Sequence, residues 1–175
     1  VTKAFAPLII ESGGRISTTS SIAGYGQYAF AGPYAISKHA VESMNDSLSL
    51  ELARLDVHVS TVAPGNYNSK LESSTKAMLA DRGYGGEGSY FQNIAGYYER
   101  PGDRSAFKEP DEVAQAFLHA MTSETPKRRY LVAPTEEEAR AVLQMVFDRI
   151  AQLNADQPYE LDREQLTEML DAAMH

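Results

Sequence analysis

The sequence predicts an α/β fold in which one long helix connects two parallel strands. Residues 34–55 form the longest helical pattern in the chain, with apolar side chains that recur every three or four positions. Short runs with strand character lie on both sides of this pattern, at residues 15–20 and 57–63. A helix that joins two neighbouring strands of one sheet makes a crossover connection, and strands connected in this way are parallel. We therefore expect a βαβ unit at the centre of the fold.

Composition and charge limit the class of protein. The chain has 175 residues, of which 43% are hydrophobic, enough for one core and a single domain. Its formal net charge of −8 argues against a nucleic-acid partner. It has no run of about 18 apolar residues and no basic start followed by an apolar segment, so we expect no membrane span and no secretory signal. Cysteine is absent and the four histidines lack paired spacing, so disulfides are excluded and no metal site is expected. A cytoplasmic protein is the expectation.

The first residues have the apolar face of a helix but no capping residue in front of it. Because the chain also opens on Val1, we expect residues 1–11 to be the end of a helix that begins upstream. A short natural first helix whose Met has been removed is the alternative. The next strand, residues 15–20, is polar for a buried parallel strand, and residues 22–33 are expected to form a loop.

The long helix carries two stripes of side chains. We expect its apolar stripe to pack on the sheet; that stripe consists of Val41, Met44, Leu48, Leu52 and Leu55. A second stripe contains mostly small residues, namely Ile36, Ala40, Ser43 and Ser47. Small residues let another helix approach closely, so this second stripe predicts either a subunit interface or a plain solvent-facing surface.

Residues 69–109 are less regular than the rest of the chain. They contain a short helical pattern, several glycines and the aromatic side chains of Tyr90, Phe91, Tyr97 and Tyr98. A long segment of this kind inside a compact domain is usually functional. We therefore predict a substrate loop or lid, with an aromatic-rich packed loop as the alternative.

The last third of the chain predicts a helix, a strand and two more helices. The first helix begins at Pro110-Asp111, and the strand covers residues 128–132. The inward face of the first helix should carry Val113, Ala116, Phe117, Ala120 and Met121. The helix after the strand should turn inward Ala139, Val142, Leu143, Val146 and Ile150. Thr135-x-x-Glu138 and Asp162-x-x-Gln165 have the spacing of capping boxes, which mark the amino ends of the two final helices. The sequence does not decide whether these helices cover a pocket or a subunit contact.

Two side chains at the start of the long helix suggest acid–base chemistry. Tyr34 and Lys38 are four residues apart, so they lie on one face of the helix, one turn from each other. An ammonium within about 4–6 Å of a phenol favours the phenolate and lowers the pKa of the phenol. Such a tyrosine can exchange a proton near neutral pH, which an ordinary tyrosine cannot.

Two further features make this pair more specific than a chance match on a solvated helix face. Ser21 lies thirteen residues before Tyr34, at the end of the first predicted strand, where its hydroxyl could bond the same substrate oxygen. Pro64-Gly65 follows the second strand. Ligands of open parallel sheets bind beyond the carboxyl ends of the strands, so both strand ends indicate one shared site.

The chain resembles the short-chain dehydrogenases/reductases in three stretches. These are Gly14-Arg15-Ile16 with Ser20-Ser21-Ile22-Ala23-Gly24, then Tyr34-Ala35-Ile36-Ser37-Lys38, and Val62-Ala63-Pro64-Gly65. The resemblance implies an α/β fold with an incomplete Rossmann-type parallel sheet, of which this chain holds only the later strands and helices. Residues 1–134 would be the catalytic part, including the substrate loop, and residues 135–175 a helical carboxyl-terminal extension of the same domain.

The resemblance also implies a cofactor, NAD or NADP, and a Ser–Tyr–Lys catalytic group. Ser21 would orient the substrate oxygen and Tyr34 would transfer the proton. Tyr34 and Lys38 would also bind the cofactor, and Lys38 would hold the nicotinamide ribose. The family's dinucleotide motif and an assisting asparagine both lie before the serine, in a part of the fold that this chain does not contain.

Further cofactor contacts are implied after the second strand. Pro64 and Gly65 would border the nicotinamide ring, and Ser69 stands at the position of the hydroxyl residue that binds the carboxamide. Tyr67 stands where the family more often has a small aliphatic residue, so it should narrow the pocket or add a polar contact.

We therefore expect an NAD(P)-dependent oxidoreductase that interconverts a small-molecule alcohol and a ketone or aldehyde, and is inactive as the isolated chain. The alternatives are a nucleotide-sugar epimerase or dehydratase, which uses a similar tyrosine–lysine pair, and a non-catalytic Rossmann-like binding protein. A homo-oligomer through helix 34–55 is also implied, because in the family this helix lies at a subunit interface.

Overall fold

A computed structural model describes residues 1–29, 31–82 and 104–174 of the chain. The helices and strands follow in the order α1 (Thr2–Glu11), β1 (Arg15–Thr19), α2 (Gly32–Leu52), β2 (His58–Pro64), α3 (Leu71–Asp81), α4 (Asp111–Thr122), β3 (Arg129–Val132), α5 (Glu136–Asn154) and α6 (Arg163–Met174). Most of the predicted lid and its four aromatic residues lie outside the described residues, so the lid stays a prediction. Among the described residues, no helix is both long and apolar enough to cross a membrane.

The three strands form one parallel sheet in the order β1-β2-β3. Arg15 of β1 is paired with His58 of β2, and Pro64 of β2 is paired with Val132 of β3. The predicted α/β class and the central βαβ unit are confirmed. Because all strands run in the same direction, their carboxyl ends meet at one edge of the sheet, where Ser21 and Gly65 follow β1 and β2.

The most buried side of α2 is polar, and the predicted apolar stripe packs there only in part: Val41, Leu48 and Leu52 are half-buried. The buried residues of α2 are Glu42 and Asn45, whereas Met44 and Leu55 of the predicted stripe are 44% and 45% exposed. Thr18 of β1 donates a hydrogen bond from Oγ1 to Oδ1 of Asn45 over 3.0 Å. Thr18 and Asn45 thus provide each other with a partner across the contact between β1 and α2, as buried polar groups require.

The apolar core lies between the sheet and α4. Val62 of β2, Ala120 of α4 and Tyr130 of β3 are its buried members. The half-buried residues packed around them are Val113, Ala116, Phe117 and Val132. The predicted inward face of α4 is therefore confirmed, except for Met121, which is 46% exposed.

The two final helices begin near the predicted positions. Asp162 and Gln165 exchange backbone-to-side-chain hydrogen bonds of 3.0 and 2.9 Å, which confirms the second capping box. In α5, Val142 is buried as predicted, but Leu143 and Ile150 are exposed. The inward face of α5 is therefore rotated from the predicted one.

Candidate active site

Ser21 lies directly beyond the end of β1 and is 8% exposed. The preceding residue, Ser20, still bonds to β2, with its N–H donating to the Val62 carbonyl over 2.7 Å. Ser21 then caps the short 3-10 turn Ile22–Gly24, and its Oγ accepts a hydrogen bond of 3.1 Å from the N–H of Ala23. This bond uses the hydroxyl as an acceptor and leaves its O–H available to donate to a ligand.

Gly24 allows this turn to lie against α2. A Cβ at this position would be 2.9 Å from Oγ of Ser20, 3.0 Å from Cγ of Glu42 and 3.3 Å from the Lys38 carbonyl oxygen. A Cβ would fit there only if the loop or the helix shifted. The glycine of the Ser-Ser-x-x-Gly stretch is therefore what lets the end of β1 come close to the helix that carries Lys38.

Tyr34 and Lys38 lie on the first two turns of α2, as the spacing predicts. The Lys38 ammonium is 5.7 Å from the centroid of the Tyr34 ring, and it donates a hydrogen bond of 3.1 Å to the Thr19 carbonyl. Tyr34 is 37% exposed, and no described residue forms a hydrogen bond with its hydroxyl. The lysine therefore joins the end of β1, two residues before Ser21, to the helical turn of the tyrosine.

The turn after β2 is held by a carboxylate from α5. The Gly65 N–H donates to the Val132 carbonyl over 2.7 Å, which continues the sheet. The carboxylate of Glu138 accepts from the Asn66 backbone N–H at 3.1 Å and from Nδ2 of Asn66 at 2.6 Å. Burial and the nearby Glu138 carboxylate raise the pKa of the Tyr28 phenol above its ordinary value.

Tyr67 and Ser69, both predicted cofactor contacts, lie in different surroundings. Tyr67 is 3% exposed, and its hydroxyl donates a hydrogen bond of 2.6 Å to Oε2 of Glu112 in α4. Burial first, and then Glu112, raise the pKa of this phenol well above its usual range. Its polar atom therefore ties the segment after β2 to α4, whereas Ser69 is exposed in the bend before α3.

Sequence reasoning missed the buried carboxylate of Glu42, one turn after Lys38 on α2. It accepts a hydrogen bond of 3.2 Å from Oγ1 of Thr61 and lies 3.5 Å from Nε of Arg129. Burial, followed by the adjacent Glu42, raises the pKa of the Tyr25 phenol far above its ordinary value. The sequence feature that could have predicted it is the recurrence of polar residues at helical spacing, namely Lys38, Glu42 and Asn45, together with the polar sequence of the neighbouring strand.

Two histidines contact groups of neighbouring elements: His39 is half-buried, and His119 is exposed. His39 Nδ1 is 2.9 Å from the Ala35 carbonyl, and its Nε2 is 3.3 Å from Nη2 of Arg149 on α5. His119 Nδ1 is 2.8 Å from the Tyr130 hydroxyl. In the part of the chain that the structure describes, no three His, Asp or Glu side chains are grouped so that they could hold a metal ion.

The fold and these polar groups define a class: an α/β protein with a candidate ligand site at the carboxyl edge of its parallel strands. Comparison with known proteins narrows this class of protein further. The family model described as short chain dehydrogenase matches residues 1–80. The uncharacterized oxidoreductase YusZ of Bacillus subtilis is 30% identical over 127 residues, which cover 71% of this chain and 45% of that protein. The mitochondrial D-beta-hydroxybutyrate dehydrogenase of Bos taurus is 32% identical, over 74% of this chain and 41% of that protein.

Solved structures show the same fold. A short-chain dehydrogenase from Streptomyces avermitilis matches with a TM-score of 0.59 and 20% identity, over 99% of this chain and 56% of its own. A short-chain dehydrogenase from Burkholderia cenocepacia, solved in complex with NADP, matches with a TM-score of 0.56 and 20% identity, over 86% of this chain and 50% of its own.

The chain belongs to the short-chain dehydrogenase/reductase family, and its sheet is of the Rossmann type. It spans less than half of the length of the two curated relatives described above.

Proposed function

We propose that this chain carries the catalytic part of an NAD(P)-dependent oxidoreductase that interconverts a small-molecule alcohol and a ketone or aldehyde. The observation that carries this proposal is the position of the Lys38 ammonium. It lies 3.1 Å from the Thr19 carbonyl at the end of β1 and 5.7 Å from the centre of the Tyr34 ring. One cation thus connects the strand end that leads to Ser21 with an exposed phenol.

The side chains have the chemistry that this reaction needs. The bound cofactor supplies or accepts the hydride, so the protein must hold and move one proton. The Tyr34 hydroxyl gives that proton to the substrate oxygen in reduction, and in oxidation the deprotonated Tyr34 oxygen takes the proton from the alcohol. The Ser21 O–H donates a hydrogen bond to the same oxygen and orients it. The Lys38 ammonium lies beside this phenol, 5.7 Å from the centroid of its ring.

The residues at the strand ends fit the nicotinamide end of such a cofactor. An ammonium has three donors, and the Thr19 carbonyl takes one from Lys38, which leaves donors for the hydroxyls of a ribose. Gly65 offers backbone without a side chain at the end of β2, and Ser69 offers an exposed hydroxyl. The described residues contain no glycine-rich turn at a helix amino end, the element that grips a pyrophosphate.

We expect the 175-residue polypeptide alone to bind the cofactor negligibly, because its described residues lack that pyrophosphate-binding turn. We also expect it to aggregate, because large apolar side chains are exposed on α1, α5 and α6. Examples are Leu8 at 61%, Leu153 at 73% and Met169 at 61%. The tests below therefore use what we call the extended protein, in which this chain follows an amino-terminal half that supplies the dinucleotide-binding turn.

Self-association through α2 is part of the proposal. Ile36 and Leu50 of this helix are each 71% exposed. Burying apolar surface of this size against a second copy would be favourable. Replacing Ile36 with Glu should lower the mass of the extended protein in light scattering, and an unchanged mass would exclude this face as the contact.

Two measurements on the extended protein test the proposed function. NADH and NADPH fluorescence titrations should show binding of at least one cofactor at micromolar concentration, and the 175-residue chain should show none. With a panel of apolar ketones, the extended protein should consume one reduced cofactor for each alcohol that it forms. A nucleotide-sugar epimerase or dehydratase would leave the total of reduced cofactor unchanged, and a non-catalytic binding protein would give no product.

A further inference from the structure

The contact between α5 and the turn after β2 extends the proposed site to the last part of the chain. We infer that Glu138 is a positioning residue for the nicotinamide end of the cofactor site, acting through the Pro64-Gly65-Asn66 turn. This inference rests on the proposed function. It assigns a role in ligand binding to a helix outside the part of the chain that carries Tyr34 and Lys38.

Glu138 does not do what its sequence position predicts. It is the third residue of α5, after the capping residue Thr135, where a glutamate normally reaches back to the backbone N–H of the cap. Oγ1 of Thr135 does accept from the Glu138 N–H, at 3.2 Å. The Glu138 carboxylate, however, bonds to Asn66, which lies 72 positions earlier in the chain. The Glu138 side chain thus bonds to a distant residue of the fold and not to the backbone of its own helix cap.

The carboxylate contacts the turn at two consecutive residues. Its two oxygens lie 3.1 and 3.4 Å from the backbone nitrogen of Asn66, and Oε1 is 2.6 Å from Nδ2 of the same residue. At Gly65, a Cβ would lie 3.0 Å from both oxygens and from Cδ of Glu138. Hydrogen bonds to a charged acceptor are stronger than neutral ones. Asn66 therefore has both its backbone and its side chain fixed by one group, directly after the strand end at which the proposed cofactor would lie.

Helix α5 is held in place by two further contacts, so the carboxylate is not on a free helix end. Nη2 of Arg149 lies 3.3 Å from both the Tyr25 carbonyl and Nε2 of His39, the residue next to Lys38. Because arginine only donates, Nε2 of His39 must accept in this contact. Cε of Met145 lies 2.8 Å from where a Cβ on Gly26 would be. Helix α5 thus contacts the loop after β1, the helix of Lys38 and the turn after β2.

The test measures the affinity of the extended protein for two ligands. NADH contains the nicotinamide, whereas ADP-ribose has the adenine and pyrophosphate but no nicotinamide. In Glu138→Ala the Kd for NADH should rise about tenfold, which corresponds to about 1.4 kcal/mol, and the Kd for ADP-ribose should stay within about twofold. Glu138→Gln keeps a carbonyl acceptor for the Asn66 N–H, so it should rescue most of the affinity. The matched control is Glu137→Ala, which removes a charge from the same turn of α5 and should change neither Kd.

Hydrogen exchange gives a second readout that does not involve catalysis. In the extended protein without ligand, the Asn66 amide should exchange about tenfold faster in Glu138→Ala, in line with the loss of its acceptor. An unchanged NADH affinity in Glu138→Ala would overturn the inference. So would an equal loss of affinity for NADH and ADP-ribose, because that result indicates a general structural defect. If the unmodified extended protein binds ADP-ribose but not NADH or NADPH, the proposed function itself is wrong.

Discussion

Replacing Gly24 with Ala tests whether the loop after β1 must lie directly on the helix of Lys38. The added Cβ would be 3.0 Å from Cγ of Glu42 and 3.3 Å from the Lys38 carbonyl oxygen. Two carbon atoms prefer a separation of about 3.5–4.0 Å, so the contact with Glu42 is too short by at least about 0.5 Å. Glu42 has little freedom to move away, because Thr61 and Arg129 hold its carboxylate. The loop must therefore shift, and overpacking of this kind destabilises a protein by about 1–3 kcal/mol.

The matched control is Gly32→Ala, at the start of α2, where a Cβ would meet no atom within 4 Å. That change should be neutral or stabilise by about 0.4–1 kcal/mol, because alanine restricts the unfolded chain more than glycine does. Thermal unfolding of the extended protein measures both variants. Each kcal/mol shifts the unfolding temperature by about 2–4 °C in a domain of 150–250 residues, and the extended protein is longer, so about 2 °C or less is expected for each kcal/mol. If Gly24→Ala unfolds at the same temperature as Gly32→Ala, the close packing of the loop on α2 is refuted.

Three more predictions concern the same structure. Asn45→Leu should destabilise the extended protein by about 1–3 kcal/mol in chemical denaturation, because Thr18 loses its buried acceptor; equal stability would contradict the polar contact between α2 and β1. Arg104 and then Lys76 lower the pKa of Glu72. The ionised Glu72 carboxylate therefore stabilises the fold at pH values above the ordinary carboxyl pKa, and this stabilisation is lost as the pH falls through the lowered pKa. Chemical denaturation at several pH values across that range should show that Glu72→Gln loses less free energy of unfolding on acidification than the unmodified extended protein, and the difference should be no more than about 1 kcal/mol. Lys38→Met should lower turnover, because it removes the ammonium that bonds to the Thr19 carbonyl beside the Tyr34 ring, and unchanged turnover would exclude a role for the lysine in the reaction.

The sequence was sufficient for the features that depend on local spacing. Tyr34 and Lys38 share a helix face because they are four residues apart, and the structure places the ammonium 5.7 Å from the ring. The ends of β1 and β2 lie at one edge because a crossover helix makes the strands parallel. These predictions needed no knowledge of which surfaces pack together.

The remaining features depend on contacts between distant parts of the chain. The most buried side of α2 is polar because a polar strand lies opposite it, and the apolar pattern of the helix gave only the edge of that side, where Val41, Leu48 and Leu52 are half-buried. Glu138 had a satisfactory local use at the start of α5, and only the fold brings Asn66 within 2.6 Å of its carboxylate. Likewise, the hydroxyl of Tyr67 is bonded to Glu112, 45 positions later. Tertiary contacts of this kind outweigh local preferences, and a single sequence does not display them.

The central claim is that the Tyr34 hydroxyl transfers the proton in an alcohol–carbonyl oxidoreduction. The most direct measurement is the turnover of Tyr34→Phe in the extended protein, with cofactor affinity measured in parallel. This change keeps the ring, which is 37% exposed, and removes only the hydroxyl. Turnover should fall by about 10²–10⁴-fold, while the Kd for the nicotinamide cofactor and the unfolding temperature stay the same. Turnover close to that of the unmodified extended protein would contradict the claim and exclude Tyr34 as the acid–base group.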